Sequence, residues 1–272
     1  MFADLHEVED GAVLDADVAV IGAGAAGITL ARTLSYSGLA VLLLESGGLE
    51  SEVDTQLLYS GSVSGLNYLP SEVTRLRYFG GTTNHWSGQS CILEPIDFRE
   101  RPWVAHSGWP IDYEEYWRWL PFAEETCRLA FDMLGGTDVD RLWSLEAQPD
   151  LPDFPFEGTD LRPVLLRYPE PAYYSFNWLH RREIAAARNV TCLLHANAVR
   201  LETDPASGSV RRVHLRSMNG RRAQARARRY VLATGAIENA RLLLASGPGQ
   251  QLGVGPGVGN SRDLVGRYFM EH

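Results

Sequence analysis

Apolar residues near the start of the chain change period twice, and those changes predict three elements. Residues 16–21 (ADVAVI) form a short, β-branched apolar run of the kind a buried parallel strand shows. Six residues of glycine and alanine follow at 22–27, and then Ile28, Ala31 and Leu34 recur at helical spacing. Gly38 stands where a C-cap glycine would stop that helix. Ala40 to Leu44 is a second apolar run, closed by Glu45. The pattern predicts a strand–helix–strand unit of about thirty residues, the size of a compact βαβ crossover.

Residues 51–190 carry most of the tryptophans and many prolines, without repeats or heptads. Trp103, Trp109, Trp117 and Trp119 fall at irregular spacing and are expected in a domain core rather than as a platform for a sugar. The Pro- and acid-rich stretch 148–160 reads as a surface loop. Strand patterns return at VTCLLH, AVRLE and VRRVHLR, and Asn219-Gly220 predicts a hairpin into ARARRYVLA. Residues 230–245 read as strand, glycine turn and amphipathic helix, and GPGQQLGVGPGVGN after them as loop. The expected organisation is a nucleotide-binding domain in two parts, 1–90 and 189–272, with an insertion at 91–188.

Composition narrows the function. With 45% hydrophobic and 22% charged residues the 272-residue chain reads as an ordinary globular protein. A formal charge of −9 argues against a nucleic-acid partner, and the eight arginines between 211 and 229 are expected on the solvent face of a hairpin. Cys91, Cys127 and Cys192 make neither a disulfide framework nor a zinc pattern. His6, His106, His180, His195, His214 and His272 show no i,i+4 pairing, so no metal site is expected. No GxSxG nucleophile motif occurs. The acidic amino terminus and the lack of an apolar run of about 18 residues predict a cytoplasmic protein without a membrane span.

The chemistry begins at Gly22-Ala23-Gly24-Ala25-Ala26-Gly27, a GxGxxG loop between predicted strand and predicted helix. Gly22 permits the tight turn, Gly24 lets the backbone approach a pyrophosphate, and Gly27 lets helix pack on strand. Ala25 opens the helix, whose free N–H groups and positive dipole end suit a diphosphate. Glu45, 23 residues past Gly22, stands where an acid accepts hydrogen bonds from ribose hydroxyls and would repel a 2′-phosphate. The loop by itself does not choose between FAD and NAD. A second glycine site, Arg75-x-Arg77-x-x-Gly80-Gly81-Thr82-Thr83, has the backbone freedom to run beside a flat ring.

GAGAAG with ESGG, RxRYFGGTTNHWSG and VLATGAIENARLLL resemble, in that order, successive motifs of the glucose–methanol–choline (GMC) oxidoreductases, and GNSRDLVGRYFMEH resembles the segment that follows. The resemblance implies an α/β fold: a Rossmann-like FAD-binding domain with an inserted, incomplete α+β substrate domain. It implies FAD as cofactor and Gly22, Gly24, Ala25, Gly27, Glu45, Gly81, Thr82, His85, Val199, Thr234 and Gly235 as cofactor-binding positions. The run Gly80–Trp86 is similar to the pyranose-oxidase segment whose histidine is bonded to the flavin. For His85, noncovalent packing beside the ring is favoured over that bond. The implied activity is oxidation of an alcohol, sugar or polyol by hydride transfer to flavin, with the acceptor open among oxygen, quinone and cytochrome. The family's catalytic histidine and its partner are expected beyond residue 272, so turnover is expected to need them. Two alternatives stand beside this reading. One is a noncatalytic flavin-binding remnant. The other is an oxidoreductase of the wider FAD/NAD(P) two-dinucleotide group, which would need a second GxGxxG loop that the sequence lacks.

Overall fold

The computed structural model describes residues 1–65, 68–129, 166–247 and 257–271. The chain divides into two units, Met1–His85 with Ser175–His272, and Trp86–Tyr174. Helices are α1 (Ala25–Ser35), α2 (Val53–Gln56), α3 (Ser71–Thr74), α4 (Tyr113–Cys127), α5 (Phe176–Ala186) and α6 (Ala236–Leu244). Among the described residues no helix is long and apolar enough to cross a membrane.

The first unit is built on a seven-stranded sheet. Its strands are β1 (Phe2–Asp4), β2 (Ala12–Ile21), β3 (Val41–Leu44), β4 (Val190–Leu194), β5 (Asn197–Thr203), β6 (Val210–Arg216) and β7 (Arg222–Leu232). They lie in the order β1-β4-β3-β2-β7-β6-β5. The first five are parallel, and β7-β6-β5 continue the sheet as an antiparallel meander. This is a mixed α/β, Rossmann-like architecture. The predicted βαβ unit is present: β2 pairs with β3 in parallel, Val18 opposite Val41 and Ile21 opposite Leu44, with α1 between them.

Strand β2 is longer than the apolar run that announced it. Its first half, Ala12–Asp17, alternates exposed and half-buried residues and pairs with β7 alone. From Val18 onward β3 covers its other edge and every residue is buried. Two-sided pairing, not composition, explains why only 16–21 read as strand. Asp15 and Asp17 of that first half meet Arg226 and Arg228 on β7, at 2.5 and 3.8 Å, and Asp10 meets Arg222 at 2.9 Å. These arginine side chains are exposed, as the hairpin reading expected, and exposed pairs contribute little each. The hairpin loop is wider than a two-residue turn. Ser217 and Arg221 close it, and Asn219 Oδ1 accepts from Ser217 Oγ and Arg221 N.

One helix expectation needs correction. Gly38 does not cap α1, which ends at Ser35. The Asn189 side-chain amide instead donates to the carbonyls of Leu34, Ser37 and Leu39 at 2.8–3.1 Å, a long-range cap that local sequence does not show. Helix α5, within the span assigned to the insertion, groups with the first unit. Ser175 Oγ accepts from Trp178 N at its start, and Glu183 binds Arg32 of α1 at 2.6 Å.

Packing of α1 on the sheet depends on Gly27. A Cβ there would lie 1.8 Å from the Gly22 carbonyl oxygen, a backbone atom that cannot yield without moving the glycine loop. Gly27→Ala is therefore expected to destabilise the fold by about 1–3 kcal/mol or more, the usual range for overpacking. Thermal unfolding of the two proteins checks it, and an unchanged midpoint would refute the close approach.

The second unit contains α4, started by Asp112, whose Oδ1 accepts from Glu115 N at 2.7 Å. Tyr113 and Tyr116 on one helix face pack with Phe98, and Tyr116 OH accepts from Leu93 N. Ser90 and Arg167 exchange two backbone hydrogen bonds at 2.8 Å. The tryptophans do not form the expected core: Trp103, Trp109 and Trp119 are exposed, and Trp117 is half-buried. Trp117 shares the face of Tyr113 and Tyr116, whereas Trp119 falls off that stripe. The loop expected at 148–160 lies outside the described residues, as does most of the loop expected after residue 246.

Candidate cofactor site

A cavity of about 440 Å³ opens at the carboxyl ends of β2, β3 and β7, where α1 and α6 begin. That size is in the range of small-molecule and cofactor sites. Parallel strands put their following loops at this end, and each loop here contains glycine. Gly22, Gly24 and Ala25 line it from the first loop, Glu45 from the end of β3, and Thr234 and Gly235 from the turn before α6.

Gly81 and Thr82 line it from the second glycine site, which docks directly on the first. Gly80 N donates to Ala23 O at 2.8 Å, and a Cβ on Gly81 would stand 3.1 Å from Gly24 Cα. A Cβ on Gly24, by contrast, would meet nothing within 4 Å. The space over Gly24 is thus open, and the start of α1 behind it has no side-chain cap. A helix N-terminus with uncapped N–H groups beside open space is the arrangement that accepts phosphate oxygens.

Glu45 is buried, and both its oxygens are engaged by backbone: Oε2 accepts from Ala23 N at 2.9 Å and Oε1 from Gly47 N at 3.0 Å. Burial pushes its carboxyl above the usual range, opposed by those two N–H groups and by the Arg77 charge. Stability tied to its protonated form is present below the ordinary carboxylate value and lost as pH rises through the raised one. Each oxygen keeps a lone pair for a hydroxyl donor from a ligand.

The structure adds a cluster that sequence reading passed over. Arg77 and Glu238, each about nine-tenths buried, pair at 2.8 Å, and both line the cavity. Arg77 also donates to Ser46 Oγ at 3.0 Å and sits 4.0 Å over the Tyr59 ring, while its Nε is buried without a hydrogen-bond partner. Arg241 Nε donates to both Glu238 oxygens at 3.0 Å. Both residues lay inside quoted motifs, RxRYFGG and GAIENA. Their meeting, across 161 positions, had no local signal.

Three expected positions lie off the cavity lining. Gly27 is buried beneath the loop and serves packing. Val199 is 42% exposed: Ala198 lines the cavity, and Val199 is the unpaired residue where the β5–β6 register shifts between Ala198 and Arg200. His85 is exposed at the end of the turn Gly81–Asn84. Asn84 is the side chain drawn inward there, donating to Phe79 O and accepting from Ser175 Oγ.

An uncapped helix N-terminus under open space and a buried acid one strand away are the features a dinucleotide site requires. Residues 17–261 match the family described as FAD dependent oxidoreductase (DAO), and the chain belongs to that family. No significant match exists among curated proteins. Among solved structures it is similar to pyridoxine 4-oxidase from Mesorbium loti, with TM-score 0.53, 21% identity and coverage of 85% of this chain and 52% of that one. It is also similar to formate oxidase, with TM-score 0.56, 17% identity and coverage of 88% and 48%. A fungal aryl-alcohol oxidase matches with TM-score 0.54, 15% identity and the same coverage. At these identities the likeness is one of fold, and the chain spans about half the length of these structures.

The cradle fits FAD. Gly24 leaves room that a Cβ would fill, α1 offers N–H groups, Glu45 keeps free lone pairs, and Arg77 presents an unpartnered Nε.

Proposed function

We propose that this chain is the cofactor-binding portion of a GMC-type oxidoreductase acting on the CH–OH group of an alcohol, sugar or polyol. The observation that carries the reading is the convergence of the three quoted motifs on one cavity: GAGAAG with Glu45, RxRYFGGTT, and the Thr234-Gly235 turn. The order of those motifs, and a fold shared with an aryl-alcohol oxidase and pyridoxine 4-oxidase, support it. When bound, FAD supplies a hydride acceptor. The residues described here hold it: the start of α1 takes the diphosphate, Glu45 takes the adenosine ribose, and Arg77 with Glu238 closes the same end. FAD is held without a covalent bond, since His85 stands outside the cavity lining. The proposed setting is cytoplasmic, in keeping with three cysteines free of disulfide spacing.

Anaerobic mixing of the protein, expressed from its whole coding sequence, with a panel of sugars and simple alcohols tests the substrate class. At least one alcohol is expected to bleach the flavin band. If dithionite bleaches it and no alcohol does, the alcohol-oxidising reading is wrong.

A further inference from the structure

Away from the cavity, the carboxyl ends of β1 and β4 bring together side chains that the sequence keeps 191 positions apart. Asp4 ends β1, His6 follows it in a turn whose backbone N donates to Asp4 Oδ1 at 2.8 Å, and His195 follows β4. Asp4 Oδ2 is 2.7 Å from His195 Nδ1, and Asp4 Oδ1 is 3.4 Å from His6 Nδ1. On the far side of its ring, His195 Nε2 lies 3.0 Å from Glu52 Oε1. None of these four residues lines the cofactor cavity. We propose that Asp4, His6 and His195 form a binding site for a divalent cation of the zinc class, with Glu52 as the carboxylate that orients His195.

The donor set and its spacing carry the idea. One ligand atom from each of the three residues lies within 4.8 Å of the others. Two ligands about 2.0–2.1 Å from a tetrahedral zinc stand roughly 3.3 Å apart. Asp4 Oδ1 and His6 Nδ1 already lie 3.4 Å apart, and the 2.7 Å hydrogen bond between His195 Nδ1 and Asp4 Oδ2 opens slightly to admit an ion. Two imidazoles and a carboxylate suit zinc and its neighbours and do not suit magnesium or calcium, which take oxygen ligands. Glu52 adds the feature that separates a metal site from a chance cluster. A metal-bound histidine commonly donates its other ring N–H to a carboxylate, which fixes the tautomer and turns the free nitrogen to the metal. His195 stands between Glu52 and Asp4 in that manner. Its backbone is held as well, with φ +52° and its N donating to Gly47 O at 3.0 Å.

His6 is the ligand that has to move. Its ring is stacked on His195, with centroids 4.4 Å apart and planes 13° from parallel, and a common metal needs the two lone pairs to converge. His6 is the most exposed of the three, and its Nε2 has no hydrogen-bond partner to lose on turning. Binding exchanges the proton shared by His195 Nδ1 and Asp4 for the metal, and that proton leaves to solvent. The two carboxylates balance the dication.

Chelator-treated protein titrated with Zn²⁺ against a chromophoric chelator, and with Co²⁺ followed by its d–d absorption, tests the site. One ion per chain is expected, with equal affinity in cofactor-free and FAD-loaded protein. His195→Ala and Asp4→Asn are expected to abolish it, and Glu52→Gln to weaken it about 10- to 100-fold. His6→Ala removes a half-exposed ring, so it serves even where the other variants fail to fold, and it is expected to remove the tetrahedral Co²⁺ bands. Absence of 1:1 binding by either metal overturns the proposal. Binding that survives both His6→Ala and Asp4→Asn overturns it too, because the ion then sits elsewhere. Since the cluster is apart from the cavity, either result leaves the FAD assignment standing.

Discussion

Gly24→Val is expected to yield a folded protein that no longer holds FAD. The glycine's φ of −84° is ordinary for any residue, and a Cβ there meets no protein atom within 4 Å. Valine in place of glycine at a helix N-cap costs about 1 kcal/mol, well short of unfolding a domain. The space it would enter, though, lies directly over the uncapped start of α1, where the diphosphate has to reach backbone N–H groups. A branched side chain at that spot excludes the phosphates, and FAD affinity is expected to fall roughly 100-fold or more, about 2.7 kcal/mol. This pattern, binding lost and fold kept, sets Gly24 apart from Gly27, where fold and binding fall together. Circular dichroism and a flavin titration on the same preparation check both halves. Retention of a full flavin spectrum would remove the phosphate role from this loop.

Glu45→Ala has the second large effect, and it acts on one end of the cofactor. The carboxylate holds Ala23 N and Gly47 N, so its loss leaves two buried N–H groups without acceptors, at about 1–3 kcal/mol each. It also removes the proposed acceptors for the adenosine ribose. FAD affinity is expected to fall roughly 10²- to 10³-fold, or about 2.7–4 kcal/mol. The ligand series isolates the ribose contribution: ADP carries that ribose, and FMN lacks it. Competition by ADP is expected to weaken in parallel with FAD, with weak FMN binding far less affected. Equal losses for FAD and FMN would show that Glu45 shapes the loop without touching the ribose.

The parts of this protein that its sequence announces are those built from neighbours in the chain. The βαβ unit is legible because Val18–Ile21, Gly22–Gly27 and Glu45 place strand, turn, helix and acid within one short stretch. What stayed hidden depends on pairings across the chain. Strand β2 begins at Ala12 because β7 lies beside it, α1 ends at Ser35 because Asn189 caps it from 150 positions away or more, and Arg77 finds Glu238 only through the fold. The Asp4–His6–His195 cluster is hidden for the same reason: its residues have no helical spacing and meet only at the ends of two adjacent parallel strands. Val199 illustrates the opposite case: its strand is present, but the register shifts between Ala198 and Arg200 and leaves Val199 exposed while Ala198 lines the cavity.

The central claim is that the cavity at the ends of β2, β3 and β7 holds one FAD by its diphosphate and adenosine. The most direct measurement is equilibrium titration of the purified chain with FAD, followed by flavin fluorescence, with ADP as competitor and the bound flavin then released by denaturation. The account predicts saturation at one FAD per chain, displacement by ADP, and recovery of the flavin as free FAD in the supernatant. Saturable binding that ADP does not displace, or no saturable binding by properly folded protein, would contradict it.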